Sequence, residues 1–338
     1  MSELRATRPT SWLPEGFTEA ETVVDEVVAD GVALGRAGLC VMSPAGEAIT
    51  GSAAGPGAPP LARARHELHE RIATLEAIRG GAAAHTLRDR TGSFVALTRR
   101  EVLFPESPAP EVWRHARSNG TALHDDWATA CDRAFWELCE RDRVLRAWYG
   151  LGSAHAVTAP LEGTPLGAAT SYDWEVASFH DDAGDPSEVA VVGVFGFPRV
   201  AHAPLVTGFG ARPHVADAMA AAVGEALQQL AFLWGEAIPV EAPERGPTAL
   251  HHVEALLWPG THAALRAWLR HGHGHLARGC ARPRPLRAAD GFVDLTPAWL
   301  RGEAVVVRAV AQDAMPMTFG PGPLSAHLPP ALQLHPMP

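Results

Sequence analysis

The sequence predicts an α+β fold built as one unit. Three observations lead there: short apolar runs with strand spacing recur along the chain, three longer stretches repeat apolar residues at helical spacing, and no linker is long enough to divide them. At 338 residues and 47% hydrophobic, the chain has enough apolar material for a sizeable core. A single domain over residues 1–338 is expected, with residues 1–50 as N-terminal strands of the same unit.

Residues 22–42 (TVVDEVV, then VALGRAGLCVM) alternate or cluster apolar side chains around glycine turns and are predicted as strands. GSAAGPGAPP at 51–60 reads as a Gly/Pro loop. The first helix follows, with Leu61, Leu68, Ile72 and Leu75 on one face, until Gly80-Gly81 ends it. FVALT at 94–98 reads as a strand, and prolines from 105 to 110 break the chain. Asp125 or Asp126 then caps a long second helix whose stripe is Trp127, Cys131, Ala134, Leu138 and Leu145. Residues 171–179 and 189–197 are predicted as an antiparallel strand pair across an acidic turn. The third helix starts after Pro213 and runs to about Trp234, burying Met219, Val223, Leu227 and Leu230, with Glu225 and Gln228 off the centre of that face. Shorter helices are expected at 250–257 and 262–269, and strands at 292–295 and 304–311. Residues 315–338 are proline-rich, a composition that is ordinarily disordered.

Composition excludes several function classes. A net charge of −10 argues against nucleic acid as a partner, because phosphate backbones need a basic surface. No apolar run approaches the ~20 residues that span a bilayer, and the N-terminus lacks a signal peptide's apolar core. A cytoplasmic protein with no membrane partner is expected. Four cysteines without a CxxC pair argue against a disulfide scaffold and structural zinc. All 28 basic residues are arginine. With no lysine there is no Walker-type phosphate loop and no Schiff-base nucleophile, so a nucleotide would be held by carboxylate-bound metal, arginine and backbone.

One helical phrase occurs twice. Arg63-Ala64-Arg65-His66-Glu67-Leu68-His69-Glu70-Arg71 returns as Arg133-Ala134-Phe135-Trp136-Glu137-Leu138-Cys139-Glu140-Arg141. At about 100° per residue, the two glutamates of each copy lie about 60° apart with the leading arginine between them, facing away from the leucine stripe. Carboxylates beside a guanidinium suit Mg²⁺ and a polyphosphate, since magnesium takes hard oxygen donors and arginine forks onto phosphate. A single copy reads as a solvated helix face. Its recurrence, joined by Glu225 and Gln228 at the same spacing, predicts carboxylates that converge. His66 and His69 lack the Glu-x-x-His spacing of di-iron bundles, which argues against a di-metal oxidoreductase. His271-Gly272-His273-Gly274-His275 has no acidic or cysteine partner nearby and is a weak metal tract.

Four ordered segments over residues ~50–338 resemble the YcaO family of ATP-dependent peptide backbone-modifying enzymes. They are the E-x-x-E-R at Glu67 to Arg71; Ser118-Asn119-Gly120 followed by Ala130 and Glu137-x-x-Glu140-Arg141-Asp142; Gly208-Phe209-Gly210-Ala211 leading to Glu225-Ala226-Leu227-Gln228; and the terminal Pro336-Met337-Pro338. The resemblance implies antiparallel sheets with helices packed around a central ATP site. It implies Mg²⁺ on Glu67, Glu70, Glu137 and Glu140, and ATP on Ser118, Asn119, Arg141, Glu225 and Gln228. In the implied reaction a Cys, Ser or Thr side chain of a ribosomally made peptide attacks the preceding carbonyl, the amide oxygen takes the γ-phosphoryl of ATP, and loss of phosphate leaves an azoline. The proline-rich end would present the carboxylate of Pro338 as a general base. Departures from the family pattern are Arg63 where a Ser is usual, GSAAGPG where the loop usually carries a Lys, and Leu334 in place of the first tail proline.

The expected function is therefore Mg-ATP-dependent cyclodehydration of a precursor peptide. The alternatives are a degenerate scaffold in a modification complex and a thioamide- or amidine-forming enzyme. No segment resembles a leader-peptide clamp, so a separate leader-binding partner protein is expected. The sequence leaves the oligomeric state open, a homodimer included.

Overall fold

The structure, a computed structural model, describes residues 12–158, 161–181, 188–244, 246–272, 284, 286–325, 328 and 333–337. β1 (Thr18–Ala29) and β2 (Val32–Met42) form a hairpin turning at Asp30 and Gly31, both at positive φ, and β3 (Ala48–Gly55) pairs with the other edge of β2. The loop expected at 51–60 is shorter than its composition suggests, because residues 51–55 complete β3. These residues are small because a helix lies directly on them: a Cβ on Gly51 would overlap the Ala64 carbonyl and the Leu68 amide. That helix is α1 (Leu61–Arg79), which buries Leu68, Ile72 and Leu75.

The chain continues through β4 (Ala84–Arg88), β5 (Phe94–Arg99), the short α2 (Arg100–Leu103), β6 (Arg114–His115) and β7 (Thr121–His124) into α3 (Trp127–Trp148). Asp126, rather than Asp125, caps α3 by accepting from the Thr129 amide at 2.9 Å. Next come β8 (Gly152–Ala156), β9 (Tyr172–Asp181), β10 (Ala190–Pro198), β11 (Val206–Arg212) and α4 (Val215–Leu233). β9 and β10 are the antiparallel pair expected, in a register that sets Val194 against Val176. After α5 (Ala249–Leu257) and α6 (His262–His271) come β12 (Gly291–Asp294), β13 (Val305–Val310) and β14 (Thr318–Phe319).

The strands form antiparallel sheets ordered β1-β2-β3, β11-β10-β9-β8 and β5-β4-β12-β13-β7, plus the small pair β14-β6. Helices and sheets alternate. α1 lies between β3 and β7, α3 between β7–β13 and the β8–β11 sheet, and α4 between β11 and the β2–β3 edge. Each of the three long helices therefore turns one flank toward the same interior point. Buried aromatics fix the outer side of α3: the Trp268 ring of α6 stacks on Phe179 at 5.8 Å and meets Trp148 edge-on at 4.9 Å. α3 also buries an ion pair, Asp142 with Arg146 at 2.7 Å, and Asp142 accepts from the Met315 amide at 2.8 Å, tying the helix to the chain that leads to the C-terminus. Among the described residues no helix is long and apolar enough to cross a membrane.

Candidate functional site

The two copies of the helical phrase are fixed by main-chain amides of neighbouring strands. On α1, Glu67 Oε2 accepts from the Ser52 amide of β3 at 2.8 Å, while Glu70 Oε2 accepts from the Leu123 amide of β7 at 3.2 Å. On α3, Glu137 accepts from the amides of Gly120 and Thr121. On α4, Glu225 Oε2 accepts from the Phe209 amide of β11 at 2.6 Å. That last contact needs a close approach, since a Cβ on Gly208 or Gly210 would overlap the carbonyls of Ala222 and Ala218. The G-x-G-A segment is thus the strand on which α4 rests.

Within each phrase the ion pair falls to the trailing arginine. Arg71 donates to Glu67 at 2.5 Å and to the Thr50 carbonyl at 2.9 Å, and Arg141 meets Glu137 at 2.7 Å. The leading Arg63 and Arg133, expected between the glutamates, are exposed. An i,i+4 arginine reaches its glutamate along the helix, whereas the leading residues project beyond the packed region. Nor are the glutamates solvated faces of α1 and α3: they lie between helices. Gln228 completes the contact between elements by donating to Ser52 Oγ at 3.3 Å.

A cavity of about 420 Å³ opens where the helices meet. Its polar side carries Ser52, Glu67, Arg71, Arg141, Glu225 and Gln228, and its apolar side Leu205, Phe232, Val253 and Leu256. Glu70, Glu137 and Glu140 do not line it and stand behind that wall. Ser118 lines a neighbouring cavity of about 470 Å³, and Asn119 a third of about 150 Å³, from which its Oδ1 accepts a bond from Arg141 at 3.4 Å. Sequence reasoning missed Ser52, hidden in the presumed loop. It also missed Gln229, which lines the cavity and accepts from the Thr207 amide at 2.9 Å. Its adjacency to Gln228 was the available signal.

The electrostatics mark an excess of buried negative charge. Glu70 is held well above the usual carboxylate range by burial, then by Glu137 and Glu67. Glu140 is raised likewise by burial and then by Glu225. Burial also raises Glu137, against the pull of Arg141 and Arg308, and it pushes Glu225 to about 7 against the Phe209 amide. Such a set suits a hard cation. Among the described residues no three His, Cys, Asp or Glu side chains close into a cage around one point. Magnesium with a nucleotide needs none, because one or two carboxylates plus substrate phosphates and water commonly complete its shell.

The tail is packed rather than free over its described part, residues 333–337. His335 is buried, its Nε2 donates to the Thr318 carbonyl at 2.9 Å, and its ring lies 4.6 Å from that of His252. Pro338 lies outside the described residues, as do 273–275 of the His/Gly tract.

Comparison with known proteins follows the same lines. The family model described as YcaO cyclodehydratase, ATP- and Mg²⁺-binding, matches residues 62–297. Among solved structures, the chain is similar to YcaO from Methanopyrus kandleri bound with AMPPCP and Mg²⁺. The TM-score is 0.54 at 19% identity, over 86% of this chain and 84% of that one, a likeness that speaks for the fold. A search of curated proteins finds no match.

Proposed function

Because this chain belongs to the YcaO family, we propose that it binds Mg-ATP in the cavity between α1, α3 and α4 and uses it to modify the backbone of a ribosomally made peptide, by cyclodehydration of Cys, Ser or Thr. The observation that carries this reading is the meeting of Glu67, Arg141, Glu225 and Gln228, from three separated helices, on one cavity.

Each wall has a task. Glu67 and Glu225 face the cavity and would hold the magnesium, with Glu70, Glu137 and Glu140 adding negative potential from behind. Arg71 and Arg141 are aimed by their ion pairs and would fork onto phosphate oxygens. The wall of Leu205, Phe232, Val253 and Leu256 suits a purine face and excludes water. Bound Mg-ATP supplies the phosphoryl group that makes an amide oxygen a competent leaving group. Residues 333–337 pack near enough to the site for the Arg141 charge to act on His335, and a proton-accepting role for the terminal carboxylate of Pro338 belongs to this proposal. So do a single domain across residues 1–338 and a separate leader-binding partner.

The test is coexpression with a neighbouring precursor peptide rich in Cys, Ser or Thr, followed by mass spectrometry. Loss of one water mass per modified residue is the expected result; exchange of oxygen for sulfur would identify a thioamide-forming enzyme. Arg63, exposed where the family pattern has a Ser, favours a second reading, a non-catalytic scaffold. A scaffold would give no magnesium-dependent heat on titration with ATP.

A further inference from the structure

The carboxylate cavity is the inner end of a trough. It shares Arg71 and Ala249 with the cavity of about 470 Å³, which in turn shares Ile78, Arg114, His115 and Arg117 with one of about 380 Å³. β3, an edge strand of its sheet, borders the middle section through Ala48, Ile49 and Thr50, so an extended chain lying there would run along a strand edge. The outer end is lined by Arg100, Arg114, Arg117 and Arg308, with Glu106 as its one carboxylate.

Resting on the peptide-modifying reading above, we propose that this arginine-lined end of the trough binds acidic side chains of the substrate peptide, at positions away from the residue being modified. A chain of net charge −10 gathers four guanidiniums here, of which Arg100 pairs with Glu106, a side chain 80% exposed, at 3.4 Å and Arg117 with Glu47 at 2.7 Å. Such a concentration of one sign in a concave wall focuses potential for an anion. Arg308 is the strongest element. It is 7% exposed, lies over the Phe104 ring at 5.1 Å and donates to the Arg117 carbonyl, and among the described residues no carboxylate stands within ion-pair distance of it. Burying a guanidinium without a directly bonded carboxylate is costly: burial lowers its pKa to about 10, although the more distant Glu137 charge pulls the other way. An incoming carboxylate would offset that cost. Arg100 pairs with Glu106 at 3.4 Å and among the described residues keeps a buried Nε with no partner, Arg114 among those residues donates to the Pro110 carbonyl alone at 2.7 Å, and Arg117 is held by Glu47 at 2.7 Å. Each fork has five N–H donors and keeps some of them for a ligand. Free phosphate shares this chemistry, but the connected trough and its strand edge favour a peptide.

The experiment uses the full chain and two short fluorescein-labelled peptides, one bearing Asp and Glu and the other the matching Asn and Gln, followed by anisotropy at low salt. The acidic peptide is expected to bind about tenfold more tightly or better, and the preference should fall to about threefold or less in Arg114→Gln/Arg117→Gln, whose two side chains are exposed, with Arg308 retaining the remainder. Mg-ATP affinity of that variant, read by calorimetry, should stay within roughly twofold of the parent. Equal binding of both peptides would overturn the proposal. So would a parallel loss of Mg-ATP affinity, which would make the arginines part of the nucleotide site. Arginine-dependent binding of inorganic phosphate without peptide preference would also overturn it and assign a free-anion site. Failure of the nucleotide reading is distinguishable: the parent chain would then prefer the acidic peptide yet bind no Mg-ATP.

Discussion

Glu140 differs from the other carboxylates of the cluster, because among the described residues none donates a hydrogen bond to it, whereas Glu67, Glu70, Glu137 and Glu225 each hold a strand amide. Its carboxyl is raised by burial and by Glu225. A carboxyl raised in the folded chain binds protons more readily than in the unfolded chain, so stability is lost as pH climbs from about 4.5 through the raised value. Glu140→Gln removes that loss. The metal-free variant is expected to melt above the parent near pH 8 and no higher near pH 5, while its Mg-ATP affinity falls about tenfold or more. Differential scanning calorimetry at the two pH values, with a binding titration, checks this. A lower melting temperature at both would show that Glu140 serves packing. At this scale the sequence was partly legible: the spacing of the glutamates named the converging acids, but the identity of the paired arginine was not readable. It depends on which turn of α1 and α3 is packed, and Arg63 and Arg133 lie on the exposed one.

At the scale of elements, two contacts carry the site. α1 rests on Gly51 so closely that an added Cβ must displace helix backbone, and with it Glu67 from the Ser52 amide. Gly51→Ala is therefore expected to cost about 1–3 kcal/mol in urea unfolding and to weaken Mg-ATP binding together with it. Unchanged stability would mean that α1 shifts freely. The second contact is the docked tail. Burial lowers His335 to about 4, so the folded chain keeps it neutral while the unfolded chain takes a proton below about 6.5. Stability from this group is complete above about 6.5 and is lost as pH falls toward about 4, a loss on the order of 3 kcal/mol and opposite in sign to that of Glu140. His335→Gln should remove that slope, so the gap in unfolding free energy between parent and variant should close as pH falls. A constant gap would rule out the buried neutral histidine. The long helices and the β9–β10 pair were legible because period alone specifies them. β3, β6 and β7 were not: β3 is small because α1 covers it, and β6 and β7 are too short to show alternation.

For the whole molecule, what matters is alternation. Three helices separated by up to 135 residues of sequence, from Arg79 at the end of α1 to Val215 at the start of α4, reach one point because sheets from distant segments are wedged between them, β7 beside β13 on one side of α3 and β11 on the other. The sequence signals this only as ordered motifs; the pairing of β7 with β13 and of β12 with β4 joins segments far apart along the chain and leaves no local trace. The same arrangement accounts for the charge balance, a carboxylate-rich centre leading to an arginine-lined end. The most direct measurement is isothermal titration of the full chain with ATP, with and without magnesium. Saturable heat that requires Mg²⁺ and disappears in Glu225→Gln is the result this account expects. Heat of the same size without magnesium, or none with it, would contradict the assignment of the central cavity.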